Sequence, residues 1–76
     1  MNNPHSEKIE KLRKKYPAGT RVVLDRMDDI QAPPSGTGGV VIGIDAIGDI
    51  MVGWDNGSSL KLIPGVDSFH IHGESE

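Results

Sequence analysis

The stretch Val52-Gly53-Trp54-Asp55-Asn56-Gly57-Ser58-Ser59-Leu60 constrains this chain more than any other, because alternation around the sole tryptophan runs straight into Asn-Gly. Asn-Gly between alternating positions is the strongest short-range signal of a β-hairpin: both central residues of a type I′ turn need positive φ, and these two types tolerate it. The same alternation assigns faces, with Ile50, Val52 and Trp54 on one side of the strand and Met51 and Gly53 on the other. A register slip of one residue would move Trp54 to the opposite face.

The rest of the chain can be laid out around that hairpin. Asn3 or Ser6 is placed to cap a first helix, with Pro4 suited to its first turn and Glu7 near the positive end of its dipole. Ile9, Leu12 and Tyr16 form one narrow apolar stripe, Lys8, Lys11, Arg13, Lys14 and Lys15 the other side, and Pro17 stops the helix near residues 15–16. The first strand is expected over residues 20–25, with Val22 and Leu24 inward. The second is expected over 39–45, with Val40, Ile42 and Ile44 on one face. After a turn through Gly48, a third is expected over 49–54 and a fourth over 58–62, with Leu60 and Leu62 inward. Residues 63–67 read as a single helical turn, and 68–72 as a fifth strand with Phe69 and Ile71 inward.

Between the first two strands lies a long segment containing Met27-Asp28-Asp29-Ile30-Gln31-Ala32-Pro33-Pro34-Ser35-Gly36-Thr37, too rich in proline and glycine for regular structure. Two roles fit it: a packed lid with Met27 and Ile30 turned into the core, or a binding loop. The predicted fold class is therefore mainly β, a small five-stranded SH3-like barrel with one N-terminal α-helix. Its parts are a basic amphipathic helix over residues 1–17, the barrel over 18–72 and an acidic disordered tail over 73–76.

Seventy-six residues support a single modest core rather than a deep catalytic cavity. The absence of cysteine removes disulfides and thiolate metal sites and suits a reducing cytoplasm. No apolar run approaches the roughly 20 residues that span a bilayer, and the N-terminus leads into charges, so a soluble, unprocessed protein is expected. The net charge of −3 hides a division. Residues 1–26 carry seven bases (Lys8, Lys11, Arg13, Lys14, Lys15, Arg21, Arg26) against three acids, a balance of +4, and residues 27–76 carry Lys61 alone against eight acids, a balance of −7.

Several runs have a familiar look: Lys15-Tyr16-Pro17-Ala18-Gly19-Thr20-Arg21-Val22, Met27-Asp28-Asp29, Ala32-Pro33-Pro34-Ser35-Gly36-Thr37, Trp54-Asp55-Asn56-Gly57-Ser58-Ser59-Leu60 and Leu62-Ile63-Pro64-Gly65-Val66-Asp67-Ser68-Phe69. Together, over about residues 15–71, they resemble a small uncharacterised domain-of-unknown-function family (DUF4314-like). Its members are found in Gram-positive bacteria, their phages and conjugative elements. The resemblance implies an SH3-like barrel and brings no activity with it. Gly39-Val40-Val41 with Val52-Gly53-Trp54-Asp55-Asn56-Gly57-Ser58 also looks like the Mind bomb-type barrels, a likeness at the level of fold.

Signatures of catalysis do not emerge. There is no Gly-x-Ser-x-Gly elbow, and Gly36-Thr37-Gly38-Gly39 lacks the Lys-Ser/Thr of a phosphate-binding loop. His70 and His72 share one strand face, yet two imidazoles need a further ligand, and only His5 or a carboxylate could join them. The sequence thus predicts a non-enzymatic module with no metal and no cofactor, whose partner is a protein. The candidate contacts are Asp28, Asp29, Ile30, Pro33, Pro34 and Trp54, the last either as a rim aromatic or as core. Two alternatives stand beside it. One is a nucleic-acid-associated barrel that sets Lys8, Lys11, Arg13, Lys14, Lys15, Arg21 and Arg26 on phosphates. The other is a mobile-element inhibitor of a host defence nuclease, of anti-CRISPR type, suggested by the acidic C-terminal part and the resemblance. Membrane association is not expected.

Overall fold

The structure, a computed structural model, describes residues 4–73, with side chains from Ser6 onward. The expected Asn3 cap, the His5 side chain and residues 74–76 of the expected tail lie outside the described residues. In chain order the elements are α1 (Pro4–Lys15), β1 (Arg21–Arg26), β2 (Gly38–Ile44), β3 (Ile50–Trp54) and β4 (Ser68–Ile71). The strands form one antiparallel sheet in the order β3-β2-β1-β4, so β3 and β4 are its two edges and the sheet does not close on itself.

The helix follows its pattern. Ser6 lies inside α1 rather than ahead of it, and the last helical hydrogen bond runs from Tyr16 N to Leu12 O at 2.8 Å before Pro17. Glu7 in the first turn and Arg13, Lys14 and Lys15 in the last suit the dipole. Ile9 is buried, and Leu12 and Tyr16 pack against the core. Gly48 lies under them at ordinary packing distance, where a Cβ would sit 3.9 Å from Leu12 and 4.0 Å from Ile9, and its left-handed φ of 89° is what favours glycine there.

The sheet's inner face carries Val22, Leu24, Val41, Ile44, Ile50, Val52 and Trp54, and Leu62 joins them from the segment after β3. In β3 the alternation holds through the whole strand. In β2 it does not: Val40, Ile42 and Ile44 do not share a face. Val41 pairs with Val52 but Gly43 pairs with Met51, so Ile42 is an extra residue, a β-bulge. Val41 and Ile44 point inward, and Ile42 is 60% exposed. Because Val40-Val41-Ile42 is apolar on both parities, side-chain pattern alone could not choose the face, and the bulge then changes it midway.

Two further expectations are corrected. The Trp54–Ser58 turn is not type I′, since no described residue other than glycine has positive φ. Gly57 alone is left-handed (φ 89°), with Gly57 N donating to Trp54 O at 2.9 Å and Trp54 N to Ser58 O at 3.0 Å. That is a type I turn closed by a glycine bulge, which needs only one residue at positive φ. Asp45–Asp49 repeats the pattern with Gly48, reinforced by the Asp45 carboxylate, which accepts from the N–H groups of Ile47 and Asp49. Second, residues 58–62 do not form a strand. Beyond the bond from Trp54 N to Ser58 O that closes the hairpin, their one β-bridge to β3 among the described residues is Ile50–Leu62, which exchange hydrogen bonds of 2.9 Å. Residues 63–67 make a turn closed by Asp67, whose carboxylate accepts from Ile63 N at 2.8 Å.

Candidate functional site

The segment from Met27 to Thr37 is held at both ends. At its outer end Asp29 closes a turn on itself, accepting from Gln31 N through its carboxylate (2.7 Å) and from Ala32 N through its carbonyl (3.0 Å). Ile30 sits at the corner of that turn and is fully exposed, 101% relative to the reference state. At the inner end Pro34–Thr37 forms a second turn, with Gly36 left-handed at φ 91° and Thr37 N and Oγ1 both donating to Pro34 O. Leu24 in β1 anchors this turn, giving its N–H to Thr37 O and accepting from Gly36 N, and Ser35 Oγ donates to Asp25 O at 2.8 Å. Met27 packs against the core and Pro33 is buried.

The two roles that fit this segment are therefore divided among its residues. Met27 and Pro33 act as the lid. Asp28, Asp29, Ile30 and Pro34 remain outside. Asp28 lies 3.4 Å from the Arg26 guanidinium, an exposed contact of little strength.

Trp54 is not at the rim. It is 4% exposed, its indole Nε1 donates to Leu60 O at 2.8 Å, and its ring lies over Gly39, where a Cβ would fall 2.7 Å from Cε3. Burying the ring while giving its N–H an acceptor satisfies both halves of an amphipathic side chain. A contact role for Trp54 would require it to leave the core.

The basic candidates separate into two groups. Lys8, Lys11, Arg13, Lys14 and Lys15 are exposed on α1. Arg21 instead clamps Asp55 with two hydrogen bonds of 3.1 and 2.8 Å, and Arg26 faces Asp28. Hydrogen bonding to Arg21, followed by its charge, lowers the Asp55 carboxyl below its ordinary value and raises the guanidinium. Asp45 is lowered in the same way, first by the hydrogen bond from Lys61 at 2.8 Å and then by Asp49 N, and Lys61 is raised in turn.

His70 Nδ1 lies 2.9 and 3.0 Å from the two Asp25 oxygens, across the β1–β4 pair, while His72 is exposed. Among the described residues no three His, Asp or Glu side chains gather in a way that could hold a metal. The Arg21–Asp55 and Asp25–His70 contacts bridge 34 and 45 positions of sequence, and nothing local in the chain announces either.

Among the described residues these observations define a mainly β fold of one helix and an open four-stranded antiparallel sheet. The chain belongs to the family described as Domain of unknown function (DUF4314), whose model matches residues 5–72. No curated protein and no solved structure matches it. No described helix is long and apolar enough to cross a membrane.

Proposed function

We propose that the chain is a small non-catalytic protein-interaction module that binds through Asp28, Asp29, Ile30 and Pro34. The observation that carries this reading is Ile30: a large aliphatic side chain, wholly in water, on a turn closed by the Asp29 carboxylate, in a loop whose second turn, Pro34–Thr37, is tied through Leu24 to the sheet. An ordered loop loses little further entropy on binding, so an apolar tip on it gains nearly the full benefit of burial. Two carboxylates beside that tip fit a partner with an apolar hollow edged by basic groups. We read the architecture as an SH3-like barrel whose fourth strand is reduced to one bridge. A bacterial or mobile-element origin, which rests on the resemblance, and a cytoplasmic setting, which rests on the absence of cysteine, go with this proposal. The test is affinity capture from the source cell with wild type and with Ile30→Asp at equal thermal stability. The proposal requires a partner that Ile30→Asp loses, and a partner retained unchanged contradicts it.

A second reading has its own support, since five bases of α1 face solvent and, among the described residues, make no ion pair of the kind that occupies Arg21 and Arg26. A nucleic-acid contact there predicts a mobility shift with DNA or RNA at about 50 mM salt that fades steeply as salt rises. Absence of any shift removes this reading.

A further inference from the structure

The β4 edge carries backbone groups that the sheet leaves unused. Val23 pairs with His70, and His72 N donates to Arg21 O at 2.9 Å, so His70 and His72 turn their backbone groups toward β1. By antiparallel alternation the N–H and C=O of Phe69 and Ile71 point the other way. The opposite parity of β1 agrees, because Leu24, the partner of Phe69, spends its N–H and C=O on Thr37 and Gly36. Among the described residues, β4 has β1 as its one strand neighbour, and no backbone partner meets Phe69 or Ile71 on the far side.

The helix end stands beside this edge. The Tyr16 ring packs on Phe69 with centroids 5.3 Å apart, and Lys15 Nζ sits 5.5 Å from the Tyr16 centroid. Arg13 and Lys14 share that last turn but lie on other sides of the helix, Arg13 beside Ala46 and Lys14 beside Glu10. A strand laid along β4 would therefore run near the Lys15 ammonium.

We propose that the β4 edge accepts an acidic, extended peptide segment of a partner protein by strand addition, with backbone hydrogen bonds to Phe69 and Ile71 and a carboxylate near Lys15. A second copy of this chain is the less suitable occupant. Antiparallel pairing of β4 with itself uses a two-fold axis normal to the sheet, which sets both helix ends on the same face across the seam from each other, so Lys15 gains no opposite charge from the second helix end. This surface is distinct from the Asp28–Ser35 loop.

The test uses the full chain labelled with nitrogen-15 and a blocked heptapeptide alternating Glu and Val, beside its Lys/Val counterpart. The acidic peptide should slow amide exchange of Phe69 and Ile71 by about tenfold or more while leaving His70 unchanged. Lys15→Glu should weaken its binding by about two- to fivefold. Ile71→Pro removes an outward N–H that the β1 ladder does not use and should abolish binding. If that variant fails to fold, Lys15→Glu still decides. Ile30→Asp should leave the protection intact, which separates this proposal from the loop reading. Failure of the acidic peptide to protect Phe69 and Ile71, equal binding of the basic peptide, or a sedimenting dimer with both amides already protected would each overturn it.

Discussion

At the β3 edge, Leu62 exchanges two backbone hydrogen bonds with Ile50, and the Trp54 indole reaches the Leu60 carbonyl. At the β4 edge, Phe69 and Ile71 offer the same kinds of group with no described segment to receive them. Both edges flank one core, and the difference lies in the path the chain takes on leaving each strand. The glycine-bulge turn at Gly57 returns the chain along β3, where one buried side chain and one bridge hold it without a full ladder. After β4 the described chain turns at His72 and Gly73. In a domain this small an indole N–H stands in for a rung of sheet, and Trp54 is better understood as a clasp than as a grip for a partner.

The comparison can be broken most severely at the clasp. Trp54→Ala should cost about 3–5 kcal/mol, a large share of what a small domain has, and urea denaturation should find the variant largely unfolded. Trp54→Phe keeps most of the apolar body but leaves Leu60 O without its donor. It should lower stability by about 1–3 kcal/mol, with faster amide exchange at Leu62 than at Val41. Gly39→Ala should act beneath the same ring, costing about 1–3 kcal/mol, because its Cβ would meet Val52 at 2.6 Å and Trp54 at 2.7 Å.

A smaller effect sharpens the register. Val41→Thr buries a hydroxyl and should cost about 1–3 kcal/mol, whereas Ile42→Thr, on the exposed bulge, should stay within about 0.5 kcal/mol by the same urea measurement. The smallest expected effect concerns acid. Asp45 and Asp55 have lowered folded values, so their contribution is present above the ordinary aspartate value of about 3.9 and is lost as pH falls through the lower folded ones. The double variant Asp45→Asn, Asp55→Asn should flatten the fall in urea midpoint over that acid window, and an unchanged slope would show that the two carboxylates do not contribute.

Much of this was legible in the chain, for identifiable reasons. Pro17 and the Ile9, Leu12, Tyr16 stripe define a helix and its buried side without knowledge of the sheet. Strict alternation in Ile50–Trp54 assigns that strand's faces. The uniformly apolar Val40-Val41-Ile42 carries no such alternation, so the bulge and the facing of β2 emerge only from pairing with β3. Leu60 and Leu62 alternate as a strand would, yet the Trp54 indole takes the Leu60 carbonyl, and a single bridge is what remains. The loop's length and prolines marked it as a candidate site, but the division between buried Pro33 and exposed Ile30 depends on bonds to Leu24 and Asp25 that sequence does not display. The open β4 edge was hidden for a related reason: a closed five-stranded barrel was the simplest arrangement of the strand count.

Residue-resolved amide hydrogen exchange of the native chain tests the asymmetry of the two edges most directly. It should find Ile50, Leu62 and His70 protected, with Phe69 and Ile71 exchanging at least about tenfold faster than His70 between them. Phe69 and Ile71 protected as strongly as His70 would contradict the account, because the β4 edge would then be closed like the other.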